Sequence, residues 1–336
     1  MATRITCLGE GLMDFLPISE DGATVGFRLA PGGSVLNVAV GLARLGAEVA
    51  FAGKLADDFF GRRLRAYLRA EGVRLDYLAS APGHTTLAFV APPDAGESQG
   101  KESEPSFLFY GDGAADTLLT LADLPAALYA ETRILHIGSI SLLRGTTPAA
   151  VAAVAGRLRG WALISLDPNI RSALVTDAAS YRATLDPLIA GTDALKLSLA
   201  DLAWLEPGAE REEPLAVASR WLARGPALVA LTLGAAGAVL ATAGGVRLRV
   251  SAPAVAVADT VGAGDAFAAG LLGALAERGV TSRAALLALP AEALAEALRW
   301  AVTVAALACA RPGASAPTRD ETLAALPATP EPQRKM

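Results

Sequence analysis

Asp259-Thr260-Val261-Gly262-Ala263-Gly264-Asp265-Ala266-Phe267-Ala268-Ala269-Gly270 runs a glycine-bracketed turn into an apolar helical stretch, with the Asp265 carboxylate at the junction. The first N–H groups of a helix lack intrahelical partners and the dipole is positive there, so such a turn can cradle an anion. An acid beside an anion cradle suits phosphoryl transfer. The N–H groups of Gly262, Ala263 and Gly264 would stabilise charge on the transferring phosphoryl, and Asp265 would take the proton from an attacking hydroxyl. A plain helix start with an acid in its first turn reads the same way, so the rest of the chain has to decide.

The 336 residues are 53% hydrophobic and 19% charged, enough apolar material for one large α/β domain. The net charge of −5 gives no basic excess for nucleic acid or an anionic membrane. Cys7 and Cys309 are far apart, fit no metal spacing and read as reduced core residues; with His84 and His136 as the two histidines, a zinc site is not expected. Residues 4–9 read as a first strand, not a signal peptide. The uncharged run 226–246 has the length of a membrane span, about 20 residues, but its glycines and threonines make it strand, turn, strand. A cytoplasmic protein without a membrane partner is expected.

Short apolar runs at 5–9, 49–53, 133–138, 162–167, 194–197 and 227–232 alternate with helical patterns at 34–45, 58–70, 147–158 and 213–223. That alternation predicts βαβ units on a mostly parallel sheet. Two segments break it. Residues 15–18 with 26–30, and 85–91 with 106–110, read as hairpins around polar turns at 19–24 and 92–105. Together they predict a small sheet able to cover a ligand. Strands at 238–242 and 246–250 and alanine-rich helices near 263–277 and 291–310 complete the chain. One domain over 1–326 is expected, with its lid built from about 14–31 and 85–110, and a disordered tail at 327–336.

Some motifs mislead. Gly9-Glu10-Gly11 follows a strand as a dinucleotide fingerprint would, but Asp14 stands where the third glycine belongs and a strand-like run follows. Gly53-Lys54-Leu55 lacks the remainder of a phosphate-binding Walker loop. His136 sits in an apolar strand and reads as a core histidine. At the other end of the chain, Pro31-Gly32-Gly33-Ser34 opens a helix bearing Asn37, whose amide offers donor and acceptor to a hydroxyl-rich ligand.

Taken together, the quoted string matches D-T-x-G-A-G-D-x-F-x-x-G at every fixed position. It resembles the C-terminal signature of the ribokinase-like, or PfkB, carbohydrate kinases. Gly32-Gly33-x-x-x-Asn37-x-Ala39 is similar to the N-terminal signature of that family, and Asp14 matches its sugar-gripping acid. The loop 53–61 departs from the pattern at Ala56, where a glycine is usual; alanine is tolerable there only at negative φ. The strings 107–110, 115–120 and 136–142 are similar to fructokinases, although Gly111 replaces a frequent arginine.

Further positions are carried over from the resemblance. Asp167-Pro168-Asn169-Ile170-Arg171 looks like the family's D-x-N-x-R, implying that Asn169 meets substrate and that Arg171 clamps an oxyanion. Lys196, Ser198 and Asp201 fall on K-x-N-x-x-E; the first two would lie near nucleotide, and Asp201 would order water around Mg²⁺, with an N-cap pair as the competing account. Thr232, Gly234 and Gly237 match T-x-G-x-x-G near nucleotide, against a simple hairpin turn. Residues 311–314 resemble a segment flanking adenine, and Val302 replaces a common asparagine. Asp259 and Val261 match positions that bind K⁺ in some members.

The resemblance thus implies a ribokinase-like three-layer α/β sandwich, with a mostly parallel central sheet flanked by helices and a small β-sheet lid. It implies phosphorylation of D-fructose by ATP with Mg²⁺, and a homodimer joined through lid edges. Kinases of 2-keto-3-deoxygluconate, ribose or a nucleoside are the near alternatives. A non-catalytic sugar sensor and a nicotinamide oxidoreductase are the distant ones.

Overall fold

The computed structural model describes residues 3–20, 23–91 and 106–326. The expected loop at 92–105 and tail at 327–336 lie outside these. Strands are β1 (Ile5–Leu8), β2 (Leu12–Glu20), β3 (Ala23–Gly32), β4 (Val49–Ala56), β5 (Arg74–Ala81), β6 (Leu87–Ala91), β7 (Ser106–Tyr110), β8 (Ile134–Gly138), β9 (Leu163–Asp167), β10 (Ala194–Ser198), β11 (Leu228–Thr232), β12 (Ala238–Thr242) and β13 (Arg247–Val250). Helices are α1 (Ser34–Arg44), α2 (Phe59–Ala70), α3 (Ala126–Glu131), α4 (Thr147–Leu158), α5 (Ala178–Gly191), α6 (Leu199–Leu205), α7 (Pro214–Trp221), α8 (Ala263–Glu277), α9 (Arg283–Leu287), α10 (Ala291–Cys309) and α11 (Arg319–Ala325).

Nine strands form the central sheet in the order β13-β12-β11-β10-β9-β8-β1-β4-β5. Its pairings are parallel from β11 to β5, and antiparallel where β12 and β13 return along one edge. Successive side chains along a strand point to opposite faces, so each strand feeds two cores. Ile5, Cys7 and Ile134 pack with residues of α1, α2, α8 and α10. Leu135, Ile137, Leu195 and Leu197 pack with residues of α4, α5, α6 and α7. A sheet buried on both faces needs strands that are apolar throughout; β1, β8 and β9 are buried along their whole length. The result is the expected three-layer α/β sandwich.

The second sheet runs β3-β2-β6-β7. Both expected hairpins form, and a parallel pairing of β2 with β6 joins them, Asp14 opposite Ala88. Phe15 stacks on Phe89 with ring centroids 4.4 Å apart, and Phe27 and Phe60 meet Phe15 edge-on. This aromatic cluster ties the small sheet to α2.

Three expectations need correction. The polar turn at 19–24 is mostly strand, because β2 and β3 run on to Glu20 and from Ala23. The strand expected at 26–30 runs on through Pro31 and Gly32. Cys309 is half-buried, at the end of α10, while Cys7 is the buried thiol foreseen. His136 is buried, its Nδ1 lying 3.2 Å from Ser165 Oγ. Ala56 avoids positive φ, as its fit to the loop requires. Among the described residues no helix is long and apolar enough to cross a membrane.

Candidate active site

Ligands in open α/β sheets gather outside the carboxyl ends of the strands, where the chain order switches direction. Here β1 has β4 on one side and β8 on the other, and the chain enters β2 just beyond β1. A cleft at this end is lined by Asp14, Gly33, Asn37, Arg171, Gly262 and Asp265. Residues separated by more than 200 positions in sequence thus share one wall. A larger groove of about 960 Å³ lies along α4 and α5, but none of the residues given a catalytic, binding or metal role in the sequence lines it.

Gly262 takes φ 78 and serves as N-cap of α8. A side chain there would be strained, and its β-carbon would lie 2.6 Å from Ala314 Cβ. The Asp259 carboxylate fixes the same turn, accepting Val261 N–H at 3.0 Å and Gly313 N–H at 2.8 Å. Segment 311–314 is thereby held against the candidate anion cradle. One of the three cradle donors is shared already, since Ala263 N–H approaches Thr260 O at 3.3 Å.

Asp265 stands in the first turn of α8 and is 7% exposed. Its Oδ1 accepts Ser34 Oγ–H at 2.6 Å and its Oδ2 accepts Asn37 Nδ2–H at 2.9 Å. Both donors come from the first turn of α1, which Gly33 starts at φ 103. Burial pushes the Asp265 carboxyl up, while Ser34, Asn37 and the charges of Lys196 and Arg171 pull against that rise. Ser34 was not singled out in the sequence, where it read only as the residue opening the helix.

Asp14 is pushed up to about 7 by burial and then by Asp265, with Arg171 opposing. Its carboxylate explains Gly32, since a β-carbon at 32 would sit 2.2 Å from Asp14 Oδ2. Arg171 Nη1 donates to Asn169 Oδ1 at 2.5 Å. Among the described residues, Asn169 (φ 41) and Ser139 (φ 58) are the two non-glycines with positive φ. Asparagine tolerates this region better than most residues, and the conformation lets its side chain reach Arg171. Phe109 and Ser139, from the strings similar to fructokinases, and Glu10 also line the cleft, none of them given a role there in advance.

Lys196 and Asp167 form a buried ion pair at 2.8 Å. Burial alone would push the Lys196 ammonium down, but Asp167, Asp201 and Asp265 hold it up, so it stays charged. The Nζ lies 2.9 Å from where a Gly264 β-carbon would be, which puts the cation over the start of α8. Asp201 forms a capping box with Ser198 and also accepts Ile170 N–H at 2.7 Å. Its oxygens therefore brace the chain next to Arg171, the N-cap account of these residues. Thr232 lies beside Ser198 in the sheet register. Gly234 and Gly237, both at positive φ, close the tight turn between β11 and β12. Val302 is buried among apolar residues of α10 and α8. Among the described residues, no cluster of three His, Cys, Asp or Glu could hold a metal unaided.

The description "pfkB family carbohydrate kinase" matches residues 2–321. A fructokinase of Klebsiella pneumoniae is 38% identical over 321 residues, covering 94% of this chain and 95% of that one. The structure of an ATP-bound fructokinase from Xylella fastidiosa superposes with a TM-score of 0.85 at 30% identity, covering 96% of this chain and 98% of that one. A Vibrio cholerae fructokinase double mutant with fructose, ADP and potassium gives a TM-score of 0.81 at 29% identity, over 96% and 98%. The signatures at both ends of the sequence, the sandwich they fold into and these likenesses agree: the chain belongs to the pfkB family of carbohydrate kinases.

Proposed function

We propose that the protein transfers the γ-phosphoryl group of ATP to the 6-hydroxyl of D-fructose. The observation that carries this reading is the position of Asp265, gripped by Ser34 and Asn37 at the N-terminus of α8. Asp14, Asn37 and the backbone at Gly32 and Gly33 orient the sugar. Asp265 accepts the hydroxyl proton as the oxygen attacks phosphorus, and the bond from the γ-phosphorus to the bridging oxygen of ADP breaks. First-turn N–H groups of α8 and the Lys196 ammonium then face the charge on the phosphoryl oxygens.

Mg²⁺ bound with ATP would neutralise part of the phosphate charge, and it usually keeps several waters. Asp167 suits those waters, because its buried Oδ1 has no hydrogen-bond partner among the described residues; Asp201 is nearby but braced by backbone donors. The turn at Asp259 and Val261 is the candidate K⁺ position, and a higher rate in potassium than in sodium salts is the expected sign. We also infer a single kinase domain with the small sheet as its lid. Val25, Phe27, Leu108 and Tyr110 leave that sheet with exposed apolar side chains, which supports a homodimer formed through it. A monomeric mass by light scattering would contradict the dimer.

Coupled ADP release over D-fructose, ribose, 2-keto-3-deoxygluconate and nucleosides tests the assignment. Highest kcat/KM with D-fructose is expected. ATP-dependent turnover confined to another acceptor would move the protein within the family, and no turnover with any would favour a sugar-binding sensor.

A further inference from the structure

Gly9-Glu10-Gly11 looked like a fragment of a nucleotide motif, and nothing in the proposed reaction uses it. In the fold it links β1 to β2, and Glu10 lines the same cleft as Asp14 and Asp265. The Glu10 side chain is fully buried. Its Oε1 accepts Val35 N–H from the first turn of α1 at a long 3.4 Å, and its Oε2 is buried with no partner among the described residues. A buried polar atom without a partner is costly, and in the wall of a ligand cleft the missing partner is naturally a ligand atom.

We propose that Glu10 is a specificity-determining residue of this cleft, its Oε2 meeting a hydroxyl oxygen of a neutral sugar and disfavouring acceptors that carry a carboxylate. The inference rests on the reading of the cleft as a sugar-kinase site, and it names the class of sugar.

Burial favours an uncharged Glu10 carboxyl over the donors that face it. Asp116 and the Tyr181 phenol interact with it, while the Ser141 hydroxyl and the Val35 N–H beside it favour its charged form. Burial, with Asp116 adding to it, pushes the carboxyl up to about 7. An uncharged acid carries an O–H that has to be donated, and a sugar hydroxyl oxygen can accept it. Across the cleft Asp14 and Asp265 add two more acids, against one guanidinium, Arg171. Above neutral pH Glu10 and Asp14 shed their protons, and carboxylates facing one cation make a poor home for a sugar acid.

The test is KM and kcat from about pH 6 to about pH 9 for wild type, Glu10→Gln and Glu10→Ala, with D-fructose and with a 2-keto sugar acid. Wild-type KM for fructose should climb above neutral pH as Glu10 loses its proton. Glu10→Gln keeps an N–H donor at every pH, so its KM should climb less; Asp14 titrates in both proteins and cancels in the comparison. Glu10→Ala should raise KM about 10–100-fold with kcat within about threefold. Coincident KM–pH curves for wild type and Glu10→Gln would overturn the proposal, as would a sugar acid used as well as fructose. The Gln comparison stands alone if the Ala variant does not fold. Should wild type phosphorylate no sugar, the kinase reading falls separately, and the same two curves are then read as fructose dissociation constants by calorimetry.

Discussion

The Lys196 ammonium lies against Gly264, 2.9 Å from the place a β-carbon would take. Asp167 holds the cation there from below, at 2.8 Å. The glycine at 264 thus leaves room for a charge delivered from β10. Gly264→Ala should displace Nζ and lower kcat by about 10–100-fold, with little change in the urea midpoint, because the end of a lysine side chain can move. Steady-state kinetics beside urea unfolding checks it; wild-type kcat in this variant would remove Lys196 from the account.

Ser34 and Asn37 favour the charged form of Asp265 by donating to it. Loss of either donor lets burial push the carboxyl further up, so a higher pH is needed to ionise the base. In Ser34→Ala and Asn37→Ala the acid limb of the kcat/KM–pH profile should move to higher pH, and activity should fall more on the acid side of neutrality than on the alkaline side. A limb that stays in place in both variants would mean that Asp265 does not govern it.

A purely structural prediction concerns Gly61, in the first turn of α2. A β-carbon there would lie 1.9 Å from Ala56 O, and Gly61 N–H is held by Asp58 Oδ1 at 2.7 Å. Backbone cannot yield as a flexible side chain can. Gly61→Ala should cost about 2–4 kcal/mol, measured as a shift of the urea midpoint; an unchanged midpoint would show that the α2 turn relaxes freely.

Glu10 also makes a prediction about stability alone. Its carboxyl lies at about 7, above its ordinary value of 4.5, so folding favours the protonated form. The stability this gives is fully present below the unfolded value and is lost as pH rises through about 7. Glu10→Gln cannot ionise. Relative to wild type it should therefore gain stability between about pH 5 and about pH 8, on the order of 1–3 kcal/mol, read from denaturant melts at each pH. A difference independent of pH would mean that the group does not titrate in this range.

The sequence carried the sandwich because its inner strands are apolar throughout and its helices have visible stops. It was less clear where the physics is mixed. The edge strand β5, Arg74–Ala81, alternates polar and apolar residues, and α5 contains Pro187; neither was anticipated. In the cleft, Gly33, Asn37 and Asp265 were legible as chemistry attached to glycine turns, and Asp14 and Arg171 through the family resemblance. Ser34 was hidden because a serine at a helix start reads as a local cap, whereas its oxygen bonds across 231 positions to Asp265. Glu10 was hidden by a resemblance to a different motif. The contact of Lys196 with Gly264 depends on how β10 and α8 are set against each other, which no local pattern encodes.

The central claim is that Asp265 takes the proton from the sugar. The most direct measurement pairs kcat with fructose binding in Asp265→Asn. The account predicts a kcat lower by about 10²–10⁴ with fructose affinity little changed. Turnover close to wild type in a folded, fructose-binding variant would contradict it.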